Sequence, residues 1–138
     1  MNTQSQSNPQ AAAVSKKALW TGYIMSALPV LVLLMGAVTK FVKPAFVVDG
    51  FAHFGLPQHL IVGIGILELG CTIIYLIPRT AVLGAILLTG YLGGAILTHL
   101  RIGELVIAQA IFGVLIWGGL YMRDLRVRAL IPLRQVSS

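Results

Sequence analysis

Residues 60–98 read LIVGIGILELGCTIIYLIPRTAVLGAILLTGYLGGAILT, two apolar runs divided by Pro78-Arg79. The first run, Leu60 to Pro78, has 19 positions and one formal charge, Glu68; the second, Thr80 to Thr98, has 19 and none. A helix needs about 20 apolar residues to cross a hydrocarbon core of roughly 30 Å, so each run matches one crossing. The break is too short to lead the chain elsewhere, and it therefore predicts an antiparallel helical hairpin.

The same pattern recurs outward. Ala18 to Thr39 gives 22 positions without a charge and Leu105 to Met122 gives 18. Over the full 138 residues the hydrophobic fraction is 57% and the charged fraction 10%, with a mean hydropathy of +0.90. A soluble domain carries roughly 25% charged residues, so this composition excludes a water-facing globule and a disordered chain. Cys71, the single cysteine, excludes a disulfide scaffold. Open sheet edges are not satisfied in lipid and the alternation of barrel strands is missing. The expected fold is all-α, an integral membrane four-helix bundle with antiparallel spans at about 18–39, 60–78, 80–98 and 105–122.

Charge placement orients the bundle. With four spans, both termini and the second loop share one side, which holds Lys16, Lys17, Arg79, Arg123, Arg126, Arg128 and Arg134; the other side holds Lys40, Lys43 and Arg101. The positive-inside rule puts the basic side, and both termini, in the cytoplasm. Residues 1–17 read as a disordered cytoplasmic tail and 123–138 as a basic cytoplasmic one. The first apolar run is longer than the h-region of a cleaved signal peptide, so it is expected to remain as the first helix. The net charge of +6 suits an anionic membrane surface. It does not suit nucleic acid, because the charges fall between apolar runs rather than forming a patch interleaved with aromatics.

The link from Lys40 to His59 carries Pro44, Asp49-Gly50, Gly55 and Pro57 with the apolar Phe46, Val47, Val48, Phe51 and Phe54. It reads as a short segment lying at the membrane surface or folding onto the bundle.

Glu68 is the residue most informative about function. Nine steps of about 1.5 Å from His59 put it roughly 13 Å deep, near the bilayer centre, where an ionised group requires a partner, water or a proton. Gly65, Cys71, Thr72 and Tyr75 share its helix face, which should point into the bundle. Tyr91 lies at similar depth on the neighbouring run and is a candidate partner. Lys40, at the end of the first span, either snorkels outward or reaches inward to Glu68. Thr98, His99, Arg101 and Gln109 extend the candidate polar pocket toward the outer surface. Gly90 and Gly94 form a G-x-x-x-G pair, expected to mark close helix packing. His59 and His99 sit at one membrane level, but no C-x-x-C-H or Glu-x-x-His spacing supports haem or a metal. Neither is expected, and Cys71 reads as a packing residue.

Gly36-x-x-x-Lys40, His53-Phe54-Gly55-Leu56-Pro57, Glu68, Pro78 and the stretch from Gly90-Tyr91-Leu92-Gly93-Gly94-Ala95 to Thr98-His99-x-Arg101-x-Gly103-Glu104 together resemble the DoxX-like membrane proteins. The resemblance runs from about Ala18 to Tyr121. It implies a small four-helix protein of the bacterial inner membrane. Because the wider group includes a subunit of thiosulfate:quinone oxidoreductase, it suggests a quinone-linked role, with quinone as the cofactor and a membrane redox protein or a second copy as partner. No redox ligand is recognisable in the sequence, so whether the chain is itself an enzyme stays open. Small-solute or proton-coupled transport by a homo-oligomer, and a ligand-free structural or partner-binding role, are the alternatives.

Overall fold

The computed structural model describes residues 13–131. Among these residues the chain forms six helices and no strand: α1 Lys16–Val42, α2 Ala45–His53, α3 Leu60–Leu76, α4 Ala81–Arg101, α5 Ile107–Arg123 and α6 Leu125–Leu130. Residues 1–12 of the expected N-terminal tail and 132–138 of the expected C-terminal tail, Arg134 included, lie outside the described residues.

Local chemistry sets the ends. Ser15 caps α1, its Oγ accepting from the Ala18 amide at 3.3 Å. Pro29 lies within α1, where it removes one ladder donor without ending the helix. The helix stops at Lys43, which adopts a left-handed φ of 53° and donates its amide to the Thr39 carbonyl at 2.9 Å. Pro44 then starts the next segment as the cap of α2, so the apolar link between the first two spans is a helix of 9 residues.

Two helices, α1 with 27 residues and α4 with 21, are long and apolar enough to cross a membrane; α3 and α5 are shorter apolar helices of 17. At about 1.5 Å per residue, 17 residues span roughly 26 Å, at the lower limit for a crossing. The expected runs therefore differ from the helices at their ends. Ile77 is already extended, ahead of Pro78, which trims α3. Gly103, at a φ of +79°, turns the chain after α4 and delays α5 to Ile107.

The long helices close a circuit in which α1 packs on α3 and α5, and α4 packs on the same two. Neighbours run antiparallel: the α1 N-terminal half meets the α5 C-terminal half at Gly22 and Gly119, and α3 and α4 meet at Tyr75 and Gly84. A Cβ on Gly84 would run into the backbone of Tyr75, so glycine is what allows this close approach. Tyr75, fully buried, joins three helices, with its hydroxyl 2.7 Å from Ser26 Oγ and donating to the Ile116 carbonyl at 2.9 Å. Hydrogen bonds and close contacts of this kind hold helices together where lipid removes the hydrophobic drive. Outside the core the apolar side chains face outward, Trp20, Met35 and Leu97 each being about 70% exposed. A soluble monomer rarely shows so continuous an apolar surface.

After α5 the chain folds back. Asp124 caps α6 by accepting from the Arg126 amide at 2.8 Å, and Val127 is buried. Arg128 donates from Nε to the Tyr121 carbonyl at 2.7 Å and from Nη2 to that of Met122. It thereby satisfies carbonyls left open at the end of α5.

Candidate functional site

Lys40 reaches inward. Its Nζ lies 2.6 Å from Glu68 Oε2 and donates to the Gly36 carbonyl at 3.2 Å. Glu68 is 4% exposed, so the one charge within the apolar runs has a counter-charge from another helix. The local sequence makes room for the pair. A Cβ on Gly36 would stand 2.9 Å from Glu68 Oε1, and one on Gly65 would stand 3.0 Å from the Lys40 Cβ. As the helical spacing predicts, Gly65, Cys71, Thr72 and Tyr75 on the Glu68 face are buried between the helices. Tyr91, on α4, lines the space beside this pair.

Beside the pair lies a cavity of about 610 Å³ between α3 and α4. The two helices touch near their connecting turn, at Tyr75 and Gly84, and the space opens toward their other ends. Its walls are mostly apolar: Ile64, Leu67 and Cys71 from α3, and Leu87, Gly90, Gly94 and Ala95 from α4. Polar groups enter at Lys40, Tyr91, Thr98 and His99. Gly90 and Gly94 do not mark a helix crossing, since a Cβ at either would meet nothing within 4 Å. They line the cavity instead, and on α4 the glycine that permits close packing is Gly84. Cys71 is buried, as a packing residue would be, yet it also lines the cavity.

The end of the cavity away from the α3–α4 turn is bounded by the apolar link that the sequence placed at the membrane surface or folded onto the helices. Phe51 of α2, then Phe54 and Leu56, form that part of the lining. Arg101 Nη2 donates to the Phe54 carbonyl. The Phe54 ring sits edge-on to His99, with centroids 4.6 Å apart. Glu104 bridges two histidines, Oε1 to His53 Nε2 at 2.9 Å and Oε2 to His99 Nδ1 at 2.7 Å. Hydrogen bonds from His53 first and His99 second hold its carboxyl below the usual carboxylate range.

Of the residues singled out in the sequence, Lys40 and Glu68 thus come together, Tyr91, Thr98 and His99 line the adjoining cavity, and Arg101 binds the Phe54 carbonyl at its mouth. Thr98 donates to the Gly94 carbonyl of its own helix at 2.8 Å. Gln109 is not part of the cavity wall, and its Oε1 is buried without a hydrogen-bond partner. His59 and His99 make no facing pair: His59 is exposed ahead of α3 and His99 is held by Glu104 and Phe54. Among the described residues no three His, Cys, Asp or Glu side chains are grouped to hold a metal ion. A second polar cluster escaped the sequence reading. The Arg123 guanidinium lies over Tyr23 and Tyr75, 5.4 and 5.1 Å from the ring centroids, beside a space of about 130 Å³ at the opposite end of the helices. No spacing in the sequence links Arg123 to Tyr23 or Tyr75, which reach it from other helices.

The arrangement offers a largely apolar space with an amine and a phenol at its wall and a carboxylate paired to the amine behind it. Such a space accepts an apolar body and fixes one polar end by hydrogen bonds. The sequence profile of the DoxX-like family matches residues 24–119, which takes in Lys40, Glu68, Tyr91, the strap from Ala45 to Leu56 and Glu104. No curated protein and no solved structure matches the chain. The matched span covers most of the chain and agrees with the outward apolar surface of its helices: this is a membrane protein belonging to the DoxX-like family.

Proposed function

We propose that the chain is a multi-pass protein of the bacterial inner membrane that holds a lipophilic molecule of the quinone class in the cavity between α3 and α4, as an accessory or small subunit of a membrane redox system. In this reading α1, α3, α4 and α5 all cross the bilayer as an antiparallel four-helix bundle with both termini in the cytoplasm. The shorter α3 and α5 are accommodated by local thinning of the bilayer or by their flanking residues. The distribution of Lys and Arg supports the orientation.

One observation carries the ligand reading: Lys40 and Tyr91 stand at the wall of a mostly apolar cavity of about 610 Å³, with Glu68 directly behind Lys40. That volume falls in the range of small-molecule sites. Leu67, Gly90 and Gly94 are exposed on its flank, so an apolar molecule reaches it from the lipid. A quinone carbonyl accepts from Lys40 or Tyr91, and the apolar tail lies along Gly90 and Gly94.

The experiment is equilibrium dialysis of a short-chain ubiquinone against the detergent-solubilised full chain and its Glu68→Gln variant. Saturable binding that weakens about tenfold or more in a Glu68→Gln protein that keeps the helical circular dichroism of the wild type supports the reading. Equal binding by both proteins overturns it. Proton-coupled solute uptake in proteoliposomes, or loss of folding in Glu68→Ala with no ligand bound by the wild type, would instead favour the transporter or the structural alternative.

A further inference from the structure

The strap that closes the outer end of the cavity is attached in a manner unlike the four long helices. α2 makes no extended packing with any of them, and Phe51 is its one buried residue. The strap is bounded by two positions in the left-handed backbone region, Lys43 at a φ of 53° and Gly55 at +68°, and each is followed within two residues by a proline, Pro44 and Pro57. Its apolar residues Phe51, Phe54 and Leu56 face the cavity. Its polar attachments all go to the end of α4 and the turn after it: Arg101 to the Phe54 carbonyl, and His53 to Glu104. Gly103 allows that turn, which brings the Glu104 amide to the His99 carbonyl at 3.1 Å and its carboxylate to His99 Nδ1.

We infer that the segment Ala45–Leu56 is a lid over the outer mouth of the cavity, latched by Glu104, which grips His53 on the lid and His99 on the cavity wall. The inference rests on the reading of the cavity as a ligand site and adds to it a control of access from the aqueous side. The latch is made of solvent-exposed side chains, His53 being 63% and Glu104 40% exposed. Bonds of that kind are individually weak, so the lid opens reversibly without unfolding the bundle. Movement at bounded loop positions of this sort is the usual basis of lid opening. Glu104 touches no ligand here; it is a positioning residue for the lid.

The native Cys71, the single cysteine of the chain, reports the opening, because it is buried and lines the cavity. A positively charged, water-soluble methanethiosulfonate does not reach it through lipid and must pass the mouth. The Cys71 thiolate attacks the reagent's sulfenyl sulfur, a mixed disulfide forms and methanesulfinate leaves. In nanodiscs, Glu104→Ala and His53→Ala are each expected to raise the labelling rate about tenfold over wild type at equal melting temperature. Rates equal to wild type in both variants would overturn the latch. Thr98→Cys in a Cys71→Ser background, with and without Glu104→Ala, repeats the comparison at a second cavity-lining position, and the same equality there would also overturn it. Dialysis of the short-chain ubiquinone on the same samples separates the two ideas. Faster labelling without quinone binding keeps the lid and rejects the ligand, whereas quinone binding with unchanged labelling does the reverse.

Discussion

Replacing Lys40 with methionine removes the charge and keeps most of the side-chain volume, leaving Glu68 without its partner. At 2.6 Å and an effective dielectric of about 20, the pair attracts by about 6 kcal/mol. The side chains are 16% and 5% exposed, so water screens this little, but each ion also loses several kcal/mol of hydration. The two terms largely offset, so the intact pair contributes little net stability. Breaking it is another matter, since the surviving ion keeps its desolvation penalty. Lys40→Met and Glu68→Leu are each expected to cost about 3–5 kcal/mol, while the double variant returns to within about 2 kcal/mol of wild type. The assay is reversible unfolding of the detergent-solubilised chain in SDS, followed by circular dichroism, with the four proteins forming a double-mutant cycle. Single variants that each lose less than about 1 kcal/mol and simply add in the double would refute the reasoning, because they would mean that the pair is hydrated.

Glycine substitutions should separate packing from cavity. Gly84→Ala, whose Cβ meets the Tyr75 backbone, is expected to destabilise by about 2 kcal/mol or more in the same SDS assay. Gly90→Ala, with open space around the added carbon, should stay within about 0.5 kcal/mol of wild type. Tyr75→Phe loses the bonds to Ser26 and Ile116 and is expected to cost about 1–3 kcal/mol, read as a shift of the unfolding midpoint. The latch should also weaken in acid. The two histidines hold the Glu104 carboxyl below its ordinary range, so its stabilising effect is complete above the unfolded carboxylate value and disappears as pH falls through the lower folded one. The groups facing it are His53 and His99, with Arg101 nearby on the Phe54 carbonyl. The ratio of Cys71 labelling rates between Glu104→Ala and wild type should therefore fall toward one as the buffer is acidified below the usual carboxylate range.

Much of the helical architecture was legible because lipid imposes a simple rule: long uncharged runs separated by turns. The second and last runs overreached and the first and third stopped short of their helices, since composition does not reveal that Ile77 leaves the helix before Pro78 or that Gly103 turns the chain before Ile107. Glu68 was legible for the same reason, as a charge out of place, and helical spacing oriented its face correctly. What spacing left open was its partner: Lys40 stands 28 positions away, and only the crossing of α1 over α3 decides between snorkelling and pairing. Gly90 and Gly94 show the limit most clearly. A G-x-x-x-G pair is equally suited to close packing and to a cavity wall, and the splay of α3 from α4 decides which. The lid was visible as an apolar segment lying at the membrane surface or folding onto the bundle, but its attachments were not, because His53 to Glu104 and Arg101 to Phe54 span 51 and 47 positions.

The central claim, that the space between α3 and α4 is filled by a lipophile with a polar end, is tested most directly by native mass spectrometry of the full chain taken from membranes, with organic extraction of whatever it carries. Gly94→Leu, placed where an added Cβ meets nothing within 4 Å and on the cavity wall, is the cavity-filling control. The account predicts one bound lipophile per chain in the wild type and its loss from a Gly94→Leu protein with an unchanged unfolding midpoint. A wild-type chain that carries no such molecule, or a filled variant that retains it, would contradict the account.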